Sequence, residues 1–393
     1  MKTKKIRLFT NKNNEKYLFQ SSSCSRFAYN WALIESDNYF KQNHSTISES
    51  DLRKKFTIYK KQVGNEWMND KFINNNVFKQ GIRDYCSARN RYFKKLSNKP
   101  KIKKKRNDHL SFYVDVEQVK IEGNRLYIPS VGYFEYSGYK LNAYHRYIKN
   151  GKTYHFGEKP KSVRVTYDGI HWNMSLVYED NIVKTKLNNK IIGIDLGLKT
   201  FATICIRDLD KHKRKYKQFK SLKEDYKKLS SRKKRIDRKI SKNIKNLKKG
   251  GTIQSNNYKK LLKKRIKYNH KISNIQENNI NQVINYLVKS KPKKIIIEDL
   301  NVKGMMKNKR LAKWISFNQF YNFKSKLQYK CNLYGIELVV ADRFYPSSKL
   351  CSKCHTKKEF LSLSERTFIC PSCGYTIDRD KNAALNLSRY LIT

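Results

Sequence analysis

Two groups of residues in this 393-residue chain have types and spacing that could do chemistry. The first is Cys351-x-x-Cys354, then fifteen residues, then Cys370-x-x-Cys373-Gly374. Two tight turns that each offer a pair of thiolates give closed tetrahedral coordination of one zinc ion, and with no open position that zinc is structural. His355, beside the first turn, is expected to be a bystander. The second group is acidic. Asp195 interrupts the apolar run Ile191-Ile-Gly-Ile-Asp195-Leu-Gly, Glu298 closes Lys294-Ile-Ile-Ile-Glu298, and Asp380 opens a helix in Asp378-Arg-Asp380-Lys-Asn382-Ala-Ala. A buried carboxylate without a partner is unstable, so acids at the ends of buried strands call for cations. Two divalent cations shared by such carboxylates would activate a water and steady the leaving oxygen in phosphodiester hydrolysis. Taken singly, each acid reads as a salt-bridge partner or a helix cap, Asp380 being well placed for capping. Taken together they read as a metal site. Asp299 and Asp378 compete for the second and third positions. Side chains alternate along a strand, so only one of Glu298 and Asp299 can face Asp195, and spacing leaves open which.

Hydrophobic patterning supplies the elements that must hold these groups. The strand carrying Asp195 is apolar on both faces and therefore central. Thr200-Phe-Ala-Thr-Ile-Cys-Ile and the stretch Tyr216 to Phe219 continue it as a three-strand meander. Two long Lys-rich helical segments follow, with apolar positions from Leu222 to Leu247 and from Leu261 to Leu287, which suit an antiparallel pair broken at Gly250-Gly251. Next come the strand ending in Glu298, a helix near Trp314 to Cys331, a strand at Ile336-Glu-Leu-Val-Val-Ala, the paired cysteines, and a closing helix from about Asp380. The order strand-strand-strand, helix, strand, helix, strand suits a ribonuclease H-like sheet. Upstream, residues 1 to about 15, with Ile6, Leu8, Tyr17 and Leu18 as apolar positions, read as a strand with its hairpin neighbour. Helical spacing runs from Cys24 to about Leu96 and ends in a basic linker, Lys94 to Arg106. From His109 to Glu179 short β-rich segments predict a small β-barrel or curled sheet that includes the opening strand, so that the helical unit is an insertion in it. Tyr113, Tyr127, Tyr133, Tyr136, Tyr139, Tyr144 and Tyr147, interleaved with Lys and Arg, could stack on bases, the plainer alternative being that they fill the barrel. The fold class is α+β and multidomain.

Charge narrows the partners. There are 87 Lys+Arg against 32 Asp+Glu, a net +55, and the cations run through the whole chain rather than in one tail. Such a chain repels itself when compact unless a polyanion neutralises it, and nucleic acid is the leading candidate. The single sign of the charge on the two long helices reads as a phosphate-facing surface, since stabilising pairs four residues apart are few. With 38% hydrophobic and 13% aromatic residues the chain can build cores, which excludes a disordered polymer. No apolar run is long enough to span a bilayer, and Cys24, Cys86, Cys205 and Cys331 are scattered singly, so a soluble protein of a reducing compartment is expected.

At Gly193-Ile-Asp195-Leu-Gly, Ile297-Glu298-Asp299-Leu-Asn301-Val-Lys-Gly304-Met, Arg343-Phe-Tyr-Pro-Ser-Ser, both cysteine pairs and Asp378-Arg-Asp380-Lys-Asn-Ala-Ala-Leu-Asn, the chain resembles the transposon-encoded TnpB family of compact RNA-guided nucleases, relatives of type V CRISPR effectors. The resemblance covers residues 191 to 390. Upstream it rests on Ala28-Tyr-Asn-Trp and Gln80-Gly-Ile-Arg-Asp84, with Gly81 where many relatives carry Ala. It implies a RuvC nuclease domain (residues 186–346 and 377–393) in which Asp195, Glu298 and Asp380 hold two magnesium ions. A zinc ribbon (347–376) is implied on Cys351, Cys354, Cys370 and Cys373, together with a β-barrel wedge domain (1–20 and 107–185) and a helical recognition insertion (21–106). The implied activity is RNA-guided cleavage of double-stranded DNA beside a short duplex motif. The protein would read that motif while a structured guide RNA reads the sequence, one monomer serving each RNA. The implied location is the prokaryotic cytoplasm, with no membrane partner and with nucleoid association when DNA is bound. Gln80 is implied near the duplex motif, where Gln can pair with adenine, and Arg366 near the strand being cut; a surface amide and a ribbon contact are their plainer alternatives. Other readings are an RNA-guided repressor without useful cleavage, a transposition accessory protein, and a CRISPR-guided compact effector. The intact acidic set counts against the first, and a strand-joining transposase finds no compelling tyrosine-recombinase or HUH constellation.

Overall fold

The computed structural model describes all residues except 71, 105–109, 151, 181–184, 248–255, 363 and 391–393. The chain divides into two compact units, Met1–Asp180 and Asn181–Thr393.

The first unit opens with β1 (Lys2–Leu8), which alternates exposed and buried residues as a half-buried strand should. It then continues through α1 (Lys12–Asn43), α2 (Glu49–Tyr59), α3 (Asn75–Phe93), β2 (Leu110–Val114), β3 (Lys120–Glu122), β4 (Arg125–Ile128), β5 (Gly132–Gly138), β6 (His145–Lys149), β7 (Lys152–Phe156), β8 (Ser162–Tyr167) and β9 (Trp172–Tyr178). Seven of the strands form one curled sheet in the order β2-β8-β9-β1-β5-β4-β3, and β1 sits between β9 and β5. The expected joining of the opening strand to the later β segments is therefore present. Its hairpin neighbour is not: Tyr17 and Leu18 lie in α1. The Asn11 side chain accepts the Asn14 N–H at 2.8 Å and starts a helix there, and Leu18, Cys24, Ala28 and Ala32 fall on its buried face.

Within the insertion, α1 and α3 pack closely because Gly81 has no side chain: a Cβ there would stand 2.6 Å from the Ser25 carbonyl and 2.9 Å from Ala28 Cβ. The basic segment after α3 is not a free linker in its described part. Asn30 of α1 exchanges two hydrogen bonds with the Lys103 backbone (2.8 and 3.0 Å), and the Lys103 ammonium lies 3.7 Å from the Tyr29 ring centre. Among the seven tyrosines singled out above only Tyr144 is buried, while Tyr133, Tyr139 and Tyr147 are exposed, so filling the sheet does not account for them.

The second unit runs β10 (Asn188–Leu196), β11 (Thr200–Asp208), β12 (Lys213–Lys220), α4 (Lys223–Leu247), α5 (Asn256–Lys289), β13 (Pro292–Glu298), α6 (Val302–Met306), α7 (Lys309–Asn318), α8 (Phe320–Tyr334), β14 (Glu337–Ala341), β15 (Thr367–Ile369), β16 (Thr376–Asp378) and α9 (Arg379–Leu387). Its main sheet has five strands in the order β12-β11-β10-β13-β14. β10, β11 and β12 are antiparallel neighbours, whereas β13 lies parallel to β10 and β14 parallel to β13. β10 is thus the central strand, as its two-sided apolar pattern requires. One face packs on α5 and α8 through Ile192, Ile194, Ile295, Ile297, Val283 and Phe323. The single helix expected near Trp314 to Cys331 is two helices, α7 and α8, broken at Gln319 in the left-handed conformation (φ 50°). The expected break at Gly250-Gly251 lies outside the described residues. Among the described residues no helix is long and apolar enough to cross a membrane.

Candidate active site

The register of the parallel pair decides where the acids stand. β10 and β13 are aligned Gly193 to Ile296 and Ile194 to Ile297, so the next residues along, Asp195 and Glu298, stand side by side near the ends of their strands. Glu298 is held toward β10 by the Leu196 N–H, which donates to its Oε1 at 3.1 Å.

The third acid arrives on α9. Gly193 shares a sheet face with Asp195, two residues away, and that face is covered by α9. A Cβ on Gly193 would lie 2.1 Å from the Ala384 carbonyl oxygen and 2.3 Å from the Ser388 nitrogen. The glycine is there for space: it allows the helix backbone to touch the strand backbone. Two residues along the strand is about 6.6 Å at 3.3 Å per residue. From Ala384 back to Asp380 is four residues, about 6 Å at 1.5 Å per helical residue. The contact at Gly193 therefore carries Asp380 to the level of Asp195, and the two carboxylates repel each other strongly enough to shift Asp195.

The electrostatics follow from that convergence. The Asp195 carboxyl is raised well above the ordinary range, first by burial, then by Glu298 and Asp380. Glu298 is pushed up to about 7: burial is the main cause, the Leu196 N–H opposes it, and Asp380 adds to it. All three acids keep a part-exposed surface. Such a donor set, oxygen-only, mutually repelling and open on one side, fits hard divalent cations.

The two rival acids are otherwise engaged. Asp299 faces away and pairs with Arg343, whose Nε donates at 3.1 Å, and with the Lys324 ammonium at 3.3 Å; the Arg343 and Lys324 hydrogen bonds hold its carboxyl below the usual range. Asp378, not Asp380, caps α9, accepting the Lys381 N–H at 3.0 Å.

The four cysteines form the only group of three or more His, Cys, Asp or Glu ligand atoms within 4.8 Å of one another among the described residues. Cys351 and Cys373 sulfurs are 3.8 Å apart, Cys354 and Cys370 sulfurs 3.5 Å. The two turns repeat each other. Lys353 N–H points at Cys351 Sγ (3.4 Å) and Cys373 N–H at Cys370 Sγ (3.5 Å); His355 and Gly374 both take the left-handed conformation (φ 62° and 64°) after the second cysteine. His355 is thus a turn residue rather than a ligand. Hydrogen bonding to Thr356 pulls the Cys354 thiol down to about 6. Cys373, despite a hydrogen bond from the Tyr375 backbone that lowers it, is pushed up to about 12 by burial and by its cysteine neighbours. Four sulfurs this close cannot all be anionic without a cation between them, which fits a metal centre.

Sequence reasoning misses the residues that tie this cluster to α9. The buried Asn382 amide donates to the Leu350 carbonyl (2.7 Å) while its oxygen accepts the Ser352 N–H (3.2 Å), and Asn386 donates to the Ser347 and Leu350 carbonyls (2.8 and 2.6 Å). Their signal was two asparagines four apart inside an apolar helix, where buried amides need partners. Arg366 lies across the β15–β16 pair from the start of α9, its carbonyl accepting the Arg379 N–H at 2.8 Å, and its own side chain is exposed. Gln80 is not part of this group. It sits on α3 of the first unit, donating to Asp84 at 3.1 Å, and Asp84 is gripped by both terminal nitrogens of Arg164 at 3.0 Å.

Comparison with known proteins gives matches along much of the chain. Residues 175–309 match a family model described as a probable transposase, and residues 320–387 one described as a Cas12f1-like TNB domain. Residues 1–45 match a helix-turn-helix model, although here they form a strand and one long helix. A Streptomyces pristinaespiralis protein with the provisional name RNA-guided DNA endonuclease is 30% identical over 59% of this chain and 53% of its own length, so the chain spans about half of that relative. InsQ of Escherichia coli K12, provisionally named likewise, is 23% identical over 92% of this chain and 85% of its own. The TnpB-like protein L79 of Acanthamoeba polyphaga mimivirus is 33% identical over 24% and 19%. A solved structure titled as a Cas12f1–sgRNA–target DNA complex aligns over 98% of both chains at 18% identity with a TM-score of 0.37, a loose superposition.

Proposed function

We propose that this chain, which belongs to the TnpB family of transposon-encoded proteins, is an RNA-guided DNA endonuclease whose hydrolytic site is Asp195, Glu298 and Asp380. The observation that carries the reading is the close approach of α9 to β10 at Gly193, which brings Asp380 to the level of Asp195 beside Glu298, where the three carboxylates act on one another. In this reading the second unit is a RuvC domain with a ribonuclease H-like sheet, and the curled sheet and helices of the first unit are the wedge and recognition parts. A structured guide RNA and target double-stranded DNA are the partners.

Asp195, Glu298 and Asp380 would hold two magnesium ions, which when bound activate a water and stabilise the leaving oxygen of a phosphodiester. The chain's own residues set the stage for that chemistry. The Leu196 N–H fixes the Glu298 rotamer, Asp378 starts α9 at the residue that places Asp380, and Arg379 Nε, 3.9 Å from Asp380, moderates the negative charge at the edge. Arg366, exposed beside the start of α9, would meet a phosphate of the strand being cut. Cys351, Cys354, Cys370 and Cys373 would hold one zinc that folds the ribbon. Gln80, its amide oriented by Asp84, is assigned to the short duplex motif.

The test is to express the chain with its native flanking DNA, sequence the RNA that stays bound, and supply a duplex matching its variable end. Magnesium-dependent cutting by the wild type, and none by Asp195→Ala with RNA and DNA still bound, is the expected result. Retained cutting by that variant would sink the site; a scatter of cellular RNAs would sink the guided reading.

A further inference from the structure

Away from the acids, two rows of exposed cations face a groove between α4 and α5. This groove, of about 560 Å³, is lined by Arg232, Arg235 and Lys239 from α4 and by Lys264, Lys267 and Lys271 from α5. Both trios have the spacing i, i+3, i+7, a single helix face, so two matching rows of cations look at each other across the groove. All six are exposed, and none has an ion-pair partner among the described residues. The floor is partly buried and includes Ile236 and the Tyr268 ring.

This arrangement opposes the folding of the helices that carry it. Like charges three and four residues apart destabilise a helix by a few tenths of a kcal/mol per pair. Core packing does not explain the segment either, because no residue of α5 before Ile280 is fully buried. A polyanion in the groove adds an attraction to each row that offsets this repulsion.

We infer that the groove binds the phosphate backbone of a single nucleic-acid strand. Seven helical residues span about 10.5 Å, a length that covers about two to three successive phosphates of one extended strand. The axes of packed helices lie about 8–10 Å apart, so one strand laid along the seam meets both rows at once, whereas the two backbones of a duplex do not both fit there. The Tyr268 ring on the floor gives the sugar or base a surface to stack on. The inference rests on the proposed nucleic-acid function but assigns a strand and a place outside the acid site.

The experiment measures binding without added magnesium, so a chain with no nuclease activity gives the same answer and the two readings fail separately. Full-length chain freed of nucleic acid at high salt is titrated with labelled oligothymidylate, oligouridylate and a DNA duplex across a series of salt concentrations. The variant Arg235→Gln/Lys239→Gln/Lys264→Gln/Lys267→Gln is compared with wild type, and the α4 and α5 pairs are also tested separately. For single strands the slope of log Kd against log salt should become shallower by about 1.4 to 2, from two to three phosphates at about 0.7 each. Each pair alone should give about half of that, with unchanged circular dichroism. Loss with the deoxy strand assigns the DNA, loss with the ribo strand the RNA, and loss with both the shared backbone chemistry. An unchanged slope overturns the inference. So does a larger loss for duplex than for single strands, or an equal loss when the exposed Lys213, Lys215 and Lys217 of β12 are replaced by Gln.

Discussion

Replacing Gly193 by alanine adds one methyl group at the point where β10 touches α9. The new Cβ would stand 2.1 Å from the Ala384 carbonyl oxygen and 2.3 Å from the Ser388 nitrogen, against an ordinary contact of 3.4 Å or more. Both opposing atoms are backbone, so no rotamer change relieves the clash and the helix must withdraw by about 3.4 − 2.1 = 1.3 Å. Overpacking of this kind destabilises by about 1–3 kcal/mol, and in a unit of this size 1 kcal/mol lowers Tm by roughly 2–4 °C. The larger effect is on chemistry. Asp195 rides on the strand and Asp380 on the helix, and a misplacement of about 1 Å in a reacting constellation lowers rate about 100-fold. The expected result is a folded protein that keeps its RNA, melts a few degrees lower, and cleaves about 100-fold more slowly in a single-turnover assay. Wild-type cleavage together with a wild-type melting curve would refute the account of how α9 positions the third acid.

Further outcomes follow from the same geometry. Glu298→Gln should abolish cleavage, whereas Asp299→Asn, which breaks only a part-exposed pairing with Arg343 and Lys324, should keep it and lower stability by at most about 1 kcal/mol; equal loss in the two variants would show that both acids serve the site. Glu298 has a folded pKa of about 7, above its unfolded value. Its protonated form therefore stabilises the fold fully below about pH 4.3 and that contribution is lost as pH rises through 7. Metal-free protein should accordingly melt lower at pH 8 than at pH 5 in differential scanning fluorimetry, magnesium should restore stability at pH 8, and Glu298→Gln should flatten the fall; an identical fall in that variant would exclude Glu298 as its source. Cys370→Ser should lower bound zinc from one per chain to none by elemental analysis. Because Asn382 and Asn386 tie α9 to the ribbon, cleavage should fall with the zinc; full activity in the zinc-free variant would show that the acid site stands without the ribbon.

The course of the second unit is legible from patterning because β10, β13 and β14 are apolar on both faces and β11 is buried continuously from Phe201 to Cys205. What patterning leaves open is settled by contacts distant in sequence. Glu298 and Asp299 are neighbours, and only the placement of Arg343 and Lys324, 44 and 25 residues away, shows that Asp299 faces the other side. Asp380 reads from the sequence as the helix cap, and only the Lys381 N–H, which donates to Asp378, shows that the cap is two residues earlier. Gly193 reads as one more small residue in an apolar strand, since its role depends on a helix that begins at Arg379. The misreading at Tyr17 and Leu18 has a local cause. An apolar pair after a strand fits a hairpin as well as a helix, and Asn11 as a cap tips the balance to the helix.

The dependence of the acid cluster on α9 has a consequence for synthesis. A nascent chain emerging at about 5–20 residues per second can pair β10 with β11, β12, β13 and β14 well before the ribbon and α9 leave the ribosome. Until then two of the three carboxylates stand together without the third, and Ala384 is not yet there to meet Gly193. On the proposed function, a polypeptide whose translation stops before Asp380 would keep the basic surface yet lack the third acid, so truncated products would compete for the same ligands without cutting DNA.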